Sequence, residues 1–265
     1  MRKLATLLSL CSLIALFSCT SPSGVDVTEH FNADHYYYRL EVSDGMNVVV
    51  TDEVDDIVIT ADENVMAKIE VKFSSGTLRI YRRDFSIAYI NTADVRIPYN
   101  PDLKEVKVSY DSEFHAEPEY GIQYPEGEVK VKVDARSKFH GYLLADEIIL
   151  DINDYSYANI EFDAYSNMNL KIEDHSDADL KGYAHTTHLV MKDNSELKKN
   201  WDHEFYAFMC KVCYGTMDEF CKAYIDCENE IDMDLTNYSY IYYTSDPYIG
   251  GSTIDGTSDF YYGGY

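Results

Sequence analysis

The chain has 265 residues, 47 of them acidic and 22 basic, for a formal net charge of −25 at pH 7. That balance excludes an ordinary nucleic-acid binder, because phosphate recognition needs clustered Lys and Arg. A hydrophobic share of 46%, with 25 Tyr and 11 Phe, excludes a fully disordered chain and is enough to build a core in one or two domains.

The N-terminus reads as an address. Arg2 and Lys3 precede the uncharged run Leu4 to Phe17. The run is too short to span a bilayer as a stable helix, so residues 1–18 are expected to be a secretory signal peptide. It ends in Leu16-Phe17-Ser18-Cys19, which resembles the bacterial lipobox. The two readings are lipidation at Cys19 and an ordinary cleavage near Ser18 or Ser23 with Cys19 incidental. Lipidation would place the chain in the cell envelope as an outer-membrane lipoprotein, periplasmic or surface-facing, with a lipid anchor as its membrane partner. Residues 19–35 are then the lipidated Cys and a tether, since Thr20 to Glu29 (TSPSGVDVTE) has Ser, Pro and Gly and no apolar period.

Residues 36–100 form an N-terminal β segment. Tyr38–Val42, Met46–Thr51, Ile57–Thr60 and Ala67–Phe73 are predicted strands, and Ser74-Ser75-Gly76 predicts a hairpin turn into Thr77–Arg82. VRIPY (95–99) closes the segment, which is expected to cap strand edges that would otherwise stay unpaired.

Residues 101–265 repeat. An alternating run, a polar corner and a second alternating run recur, with corners at Ser112, Ser137, Ser156, Ser176, Ser195, Thr216, Ser239 and Ser258. Three units show the pattern best: LDINDYSYANIEF (150–162), LKIEDHSDADLKG (170–182) and LVMKDNSELKK (189–199). Asp154, Asp174 and Asp193 sit two before the corner Ser, and Ala158, Ala178 and Leu197 two after it. Units of roughly 20 residues cannot bury their own apolar face, so neighbours must stack. Two strands and two corners then make one coil of an all-β solenoid. The alternative is an antiparallel sandwich or meander, which also has short, evenly spaced strands.

The opening YRLEVSDGMNVVV, the segment IEVKFSSGTLRI, the junction VRIPYNPDLKEVKVSYDS and the serial corner units together resemble the bacterial putative auto-transporter adhesin head domains, also called head GIN domains. The resemblance spans about residues 36–263. It implies a right-handed parallel β-helix-like fold, an adhesive role and no catalytic residues. That family's corners usually read Gly-Ser-Gly, whereas here they read Asp-Tyr-Ser, Asp-His-Ser and Asp-Asn-Ser.

Few residues point to chemistry. With Cys11 in the signal and Cys19 lipidated, Cys210, Cys213, Cys221 and Cys227 remain. They are open to disulfides among themselves, to burial as free thiols, or to Zn²⁺. His185 and His188 have ligand-like spacing, but at a corner they read as a solvated pair. Asp154, Asp174 and Asp193 would stack one per coil, where weak Ca²⁺ binding is one way to relieve their repulsion; no other cofactor is implied. Eight Tyr fall within residues 238–265, and Tyr238, Tyr240 and Tyr242 alternate as on one face of a strand. That face is a candidate contact for a glycan or protein ligand, or else a ladder closing the last coil. The functional reading is a non-catalytic binding or adhesive protein. The alternatives are a polysaccharide lyase or hydrolase on the same scaffold, and a purely structural envelope protein.

Overall fold

The computed structural model describes residues 23–83, 92–198 and 208–263. Among them the chain is all-β: one large, mostly parallel sheet, a single helical turn and a short 3-10 turn.

Its regular part is built by the predicted repeats. Strands β10 (Ile122–Val133), β11 (Lys138–Ile152), β12 (Tyr157–Ile172) and β13 (Asp177–Met191) pair in parallel, each with the next. Lys138 lies opposite Tyr157, Tyr157 opposite Asp177, and Asp177 opposite Glu196 of β14 (Glu196–Leu197). One repeat of chain thus advances the sheet by one strand, which excludes an antiparallel meander over this stretch. Register shifts at Ala145/Glu147 and Ala164/Asn167 bend each long strand in its middle.

Alternation carries every second side chain inward, and parallel register lines those side chains into columns. Phe114, Phe139, Ala158, Ala178, Leu197 and Ala223 follow one another in register, and all are fully buried. The predicted Ala158–Ala178–Leu197 column is therefore present. Large and small residues interleave to fill the interior. The Phe114 and Phe139 rings stack at 4.9 Å, while Phe162 and Phe208 approach to 5.6 Å across Gly182. A Cβ on Gly182 would lie 1.8 Å from the Phe162 carbonyl oxygen, so only glycine fits there. Each buried Leu, Ile or Phe in such a column contributes roughly 1.5–3 kcal/mol relative to exposure.

The corner serines are buried and form a second ladder. The N–H of Ser112 donates to Ser137 Oγ (3.2 Å), that of Ser137 to Ser156 Oγ (3.2 Å), and that of Ser156 to Ser176 Oγ (3.1 Å). One predicted corner is displaced. Thr216 lies within β15 (Phe208–Met217), opposite Val190 and Asp234, and the turn comes at Glu219-Phe220-Cys221. Cys221 takes the serine's place: its N–H donates to Ser239 Oγ at 3.4 Å, and the N–H of Ser239 to Ser258 Oγ at 3.1 Å. The repeats continue through β16 (Lys222–Leu235), β17 (Tyr240–Thr244), β18 (Tyr248–Ile249) and β19 (Asp259–Tyr262), all in parallel.

The N-terminal segment contains the predicted strands, but not as a simple meander. They are β2 (Arg39–Ser43), β3 (Met46–Thr51), β4 (Ile57–Asp62), β5 (Ile69–Ser74), β6 (Thr77–Arg82) and β7 (Ala93–Pro98). The β5–β6 hairpin turns at Ser75-Gly76 as predicted, with φ of 51° and 74°. Between β4 and β5, Asp62 caps the single turn α1 (Glu63–Met66) by accepting from the Asn64 N–H at 2.9 Å. The two strands β2 and β3 pair in parallel on both sides: β2 lies between β6 and β8 (Glu105–Ser109), and β3 between β7 and β9 (Glu113–Ala116). Strand β4 then pairs antiparallel with β7, and β5 with β6. The expected tether is corrected in part: Asp26–Phe31 forms β1, an antiparallel edge strand on β4, because Val27 and Phe31 pack against the core.

Candidate ligand surface

Each corner from Ser112 to Ser239 places two consecutive residues in the left-handed region. The φ angles are 56° and 59° at Asp154 and Tyr155, 52° and 62° at Asp174 and His175, and 55° and 61° at Asp193 and Asn194. Glu219 and Phe220 follow at 58° and 63°, and Asn237 and Tyr238 at 53° and 62°. Asp and Asn accept this conformation readily, whereas for an aromatic residue it costs on the order of 1 kcal/mol or more. Hydrogen bonds between corners offset that cost. The N–H of Tyr155 donates to the Asp174 carbonyl (2.9 Å), that of His175 to Asp193 (2.8 Å), that of Asn194 to Glu219 (2.7 Å) and that of Phe220 to Asn237 (2.8 Å). This geometry explains why glycine would suit these corners and how the chain dispenses with it.

Stacked corners give stacked side chains. At the second corner position, Tyr155 and His175 stack at 4.9 Å and 14°, and Phe220 and Tyr238 at 5.2 Å and 4°. Asn194 stands between the two pairs and interrupts the column. Tyr155, Phe220 and Tyr238 are 60%, 53% and 49% exposed, so these rings lie on the surface. A separate outward column runs along the strands, where Tyr224 and Tyr242 stack at 4.7 Å and Tyr242 and Tyr261 at 5.3 Å, with Tyr240 alongside at 5.8 Å from Tyr261. The expectation that Tyr238, Tyr240 and Tyr242 share one face is thus corrected. Tyr238 turns with its corner, and only Tyr240 and Tyr242 project from the outer face of β17.

The first corner position carries the acids. Asp154, Asp174 and Asp193 line up as predicted, continued by Glu219, and Asp154 and Asp174 are exposed to water. The Asp193 side chain hydrogen-bonds Glu219 and holds the Glu219 carboxyl above its ordinary range. Among the described residues, no three His, Cys, Asp or Glu side chains converge in a way that could hold a metal ion. That corrects the Ca²⁺ reading of Asp154, Asp174 and Asp193: a column spreads its ligands along a line, while a cation needs them around a point.

Cys210, Cys213, Cys221 and Cys227 are free and fully buried, so the structure has the buried-thiol arrangement and not the disulfide one. Cys210 and Cys227 pair in register and extend the column Ala145, Ala164, Ala184, where the strand bends and only a small side chain fits. The Cys210 thiol is pushed well up by its hydrogen bond to Cys213 and by burial, and the Cys227 thiol by its bond to Cys210 and by burial. Burial also raises Cys221 to about 11. Such thiols stay protonated at neutral pH and are poor nucleophiles. The ring of His188 stacks on Tyr214 at 4.9 Å, while His185 is exposed.

Phe220, Tyr224, Tyr261 and Asn194 were not singled out by the sequence. The usable signal was the residue just before each corner Ser or Cys for Phe220 and Asn194, and the third residue after it for Tyr224 and Tyr261. The expected signal peptide 1–18 and the expected lipidation site Cys19 lie outside the described residues, within which no helix is long and apolar enough to cross a membrane.

Known proteins place this architecture. A putative adhesin from Parabacteroides distasonis has the same fold with a TM-score of 0.73 at 12% identity, over 90% of this chain and 98% of its own. A putative lipid binding protein from the same species follows at 0.65 and 16%, over 91% and 98%. A putative adhesin from Bacteroides fragilis gives 0.57 and 15%, also over 91% and 98%. No curated protein matches the sequence. Residues 36–199 match the family described as "Putative auto-transporter adhesin, head GIN domain", well over half of the chain. The chain belongs to that family.

Proposed function

We propose that this protein is a non-catalytic binding or adhesive lipoprotein of the cell envelope, whose repeats wind as a right-handed β-solenoid and hold a glycan or protein ligand against their stacked outer rings. The observation that carries this reading is the pair of outward aromatic columns, the exposed Tyr155–His175 with Phe220–Tyr238 at the corners and the half-buried Tyr224 and Tyr242 with Tyr261 on the strands. Flat rings presented in series offer large contact area at little conformational cost, which suits extended ligands. Membership in a family described as adhesin heads, and fold neighbours described as adhesins, support the same role. Residues 19–25 would link a lipid on Cys19 to the folded part, which starts at β1. The domain plan is then signal peptide 1–18, anchor and tether 19–25, β cap 26–100 and repeats 101–265.

The test is binding of the full-length chain to arrayed glycans and to envelope and host-surface proteins, with Tyr242→Ala and Phe220→Ala as variants. Saturable binding without turnover, weakened at least fivefold by either variant, supports the reading. Release of sugar fragments would turn it to the enzyme alternative, and binding untouched by both variants would move the contact elsewhere. Anchoring is checked separately: Cys19→Ala should release the protein from the membrane fraction, and labelled palmitate should enter the wild type alone. Protease accessibility on intact cells decides the membrane face.

A further inference from the structure

The corner column misses one ring. His175, Asn194 and Phe220 occupy the same position in three consecutive corners, fixed by the N–H donations from His175 to Asp193, from Asn194 to Glu219 and from Phe220 to Asn237. Rings stack above and below, at 4.9 Å for Tyr155–His175 and 5.2 Å for Phe220–Tyr238, and the short Asn194 leaves an open notch between them. Two strand spacings separate His175 from Phe220, about 9.6 Å. One planar group at the midpoint would therefore meet each ring at the spacing the column already uses. Asp193 and Glu219 stand at the side of the same notch. The neighbouring Asp193 carboxyl holds Glu219 above its ordinary range. The amide of Asn237 is turned away, donating to Asp218 at 2.7 Å.

The same column carries a guanidinium elsewhere. Two corners before Tyr155's stacked partner, Arg136 holds the second corner position, and its guanidinium donates twice to Asp111 of the preceding corner, Nε at 2.8 Å and Nη2 at 2.6 Å. A guanidinium is planar, stacks on aromatic faces and forks onto a carboxylate. A net charge of −25 adds long-range attraction for a cationic partner.

We propose that the notch between His175 and Phe220 is a receptor site for an arginine side chain of a partner protein. The guanidinium completes the aromatic column and takes Asp193 and Glu219 as its acceptors. This rests on the binding reading above, and it makes the corner contact a protein contact.

The experiment is an NMR titration of the full-length chain with three blocked tripeptides, acetyl-Gly-Arg-Gly-amide and its Lys and citrulline counterparts, and with methyl glucoside. The arginine peptide should shift the Asn194 and Phe220 resonances saturably, bind at least fivefold tighter than the lysine peptide, and outcompete it. The citrulline peptide, equally flat but uncharged, should not saturate. Asn194→Phe fills the gap with a ring at a position where Tyr155 and Phe220 already sit at φ of 59° and 63°. New stacking offsets part of the left-handed cost of a ring, so the variant should melt within a few degrees of wild type and abolish binding. Asp193→Asn with Glu219→Gln should weaken binding at least fivefold, and serves if Asn194→Phe does not fold. Equal binding of the arginine and citrulline peptides, preference for the glucoside, or no saturable shift overturns the proposal. In each of those cases, ligand capture that depends on Tyr242 would leave the broader binding reading standing.

Discussion

The middle repeats and the N-terminal segment of this chain order their strands in different ways. In the middle repeats, spatial order equals chain order: β10 to β13 each pair in parallel with the next, and identical corners stack. In the N-terminal segment the orders part. The first pair laid down, β2 and β3, ends between β6–β7 and β8–β9, and the outermost strands β4, β5 and β1 run antiparallel. A stack of parallel strands leaves a row of unpaired N–H and C=O groups at its first layer. A hairpin such as β5–β6 covers such an edge with a two-residue turn, whereas another parallel strand would need a further full repeat of chain. Repetition builds the interior, and a break in repetition closes its start.

The contrast predicts unequal tolerance to charge. Ala178 is fully buried between Ala158 and Leu197. Ala178→Asp should cost about 3–5 kcal/mol in urea denaturation, because an unpaired carboxylate enters the core. Thr28→Asp on the exposed β1 strand should change stability by less than about 1 kcal/mol. Comparable losses would mean that β1 is as integral as the repeats.

Close packing sets the next scale. Gly182→Ala should cost about 2–4 kcal/mol, since φ there is 154° and the new Cβ would strike the Phe162 carbonyl. The control is Gly141→Ala, whose Cβ would meet the movable Phe139 ring at 3.3 Å and the Ala116 carbonyl oxygen at an ordinary contact distance of 3.5 Å. If both variants melt alike, the interleaving of Phe162, Gly182 and Phe208 is not what fixes the spacing.

What the sequence made legible follows from this division. The units at Ser156, Ser176 and Ser195 could be read because their corners share a spacing and an Asp-x-Ser signature. The cap strands were legible one at a time from alternation, but their order was not, since alternation says which face is buried and nothing about which strand lies alongside. Tyr238 was placed on a strand because period-2 counting runs straight through a left-handed corner. Strand β1 was read as a tether because it is half-exposed and polar; only its pairing with β4 makes it structure. The corner at Cys221 carries a thiol, so the Ser/Thr pattern passes over it to Thr216.

The ladder predicts that the serines matter as acceptors. Ser156→Ala would leave the buried N–H of Ser137 without its partner at 3.2 Å, a loss of about 1–2 kcal/mol measurable by urea denaturation. Ser156→Cys should recover part of it, as the chain itself does at Cys221. Full loss in the cysteine variant would separate the two kinds of corner.

Cys221 gives the finest test. Sulfur is a weak acceptor and its thiol a weak donor, yet here it sits in a ladder otherwise made of hydroxyls, donating to the Asp218 carbonyl at 3.0 Å. Cys221→Ser should therefore be neutral to stabilising at pH 7, by up to about 1 kcal/mol. The pH dependence sharpens the comparison. Burial raises the folded-state pKa of Cys221 to about 11, whereas an unfolded thiol titrates near 8.5. A group whose pKa is raised on folding contributes stability that is fully present below the unfolded value and lost as pH climbs through the folded one. Wild type should thus lose stability relative to Cys221→Ser between about pH 8.5 and about 11. The other thiols and the tyrosines titrate in both proteins and cancel in the difference. A stability gap that stays flat across that range would mean the Cys221 sulfur is reached by water when folded, and that the ladder is open at this corner.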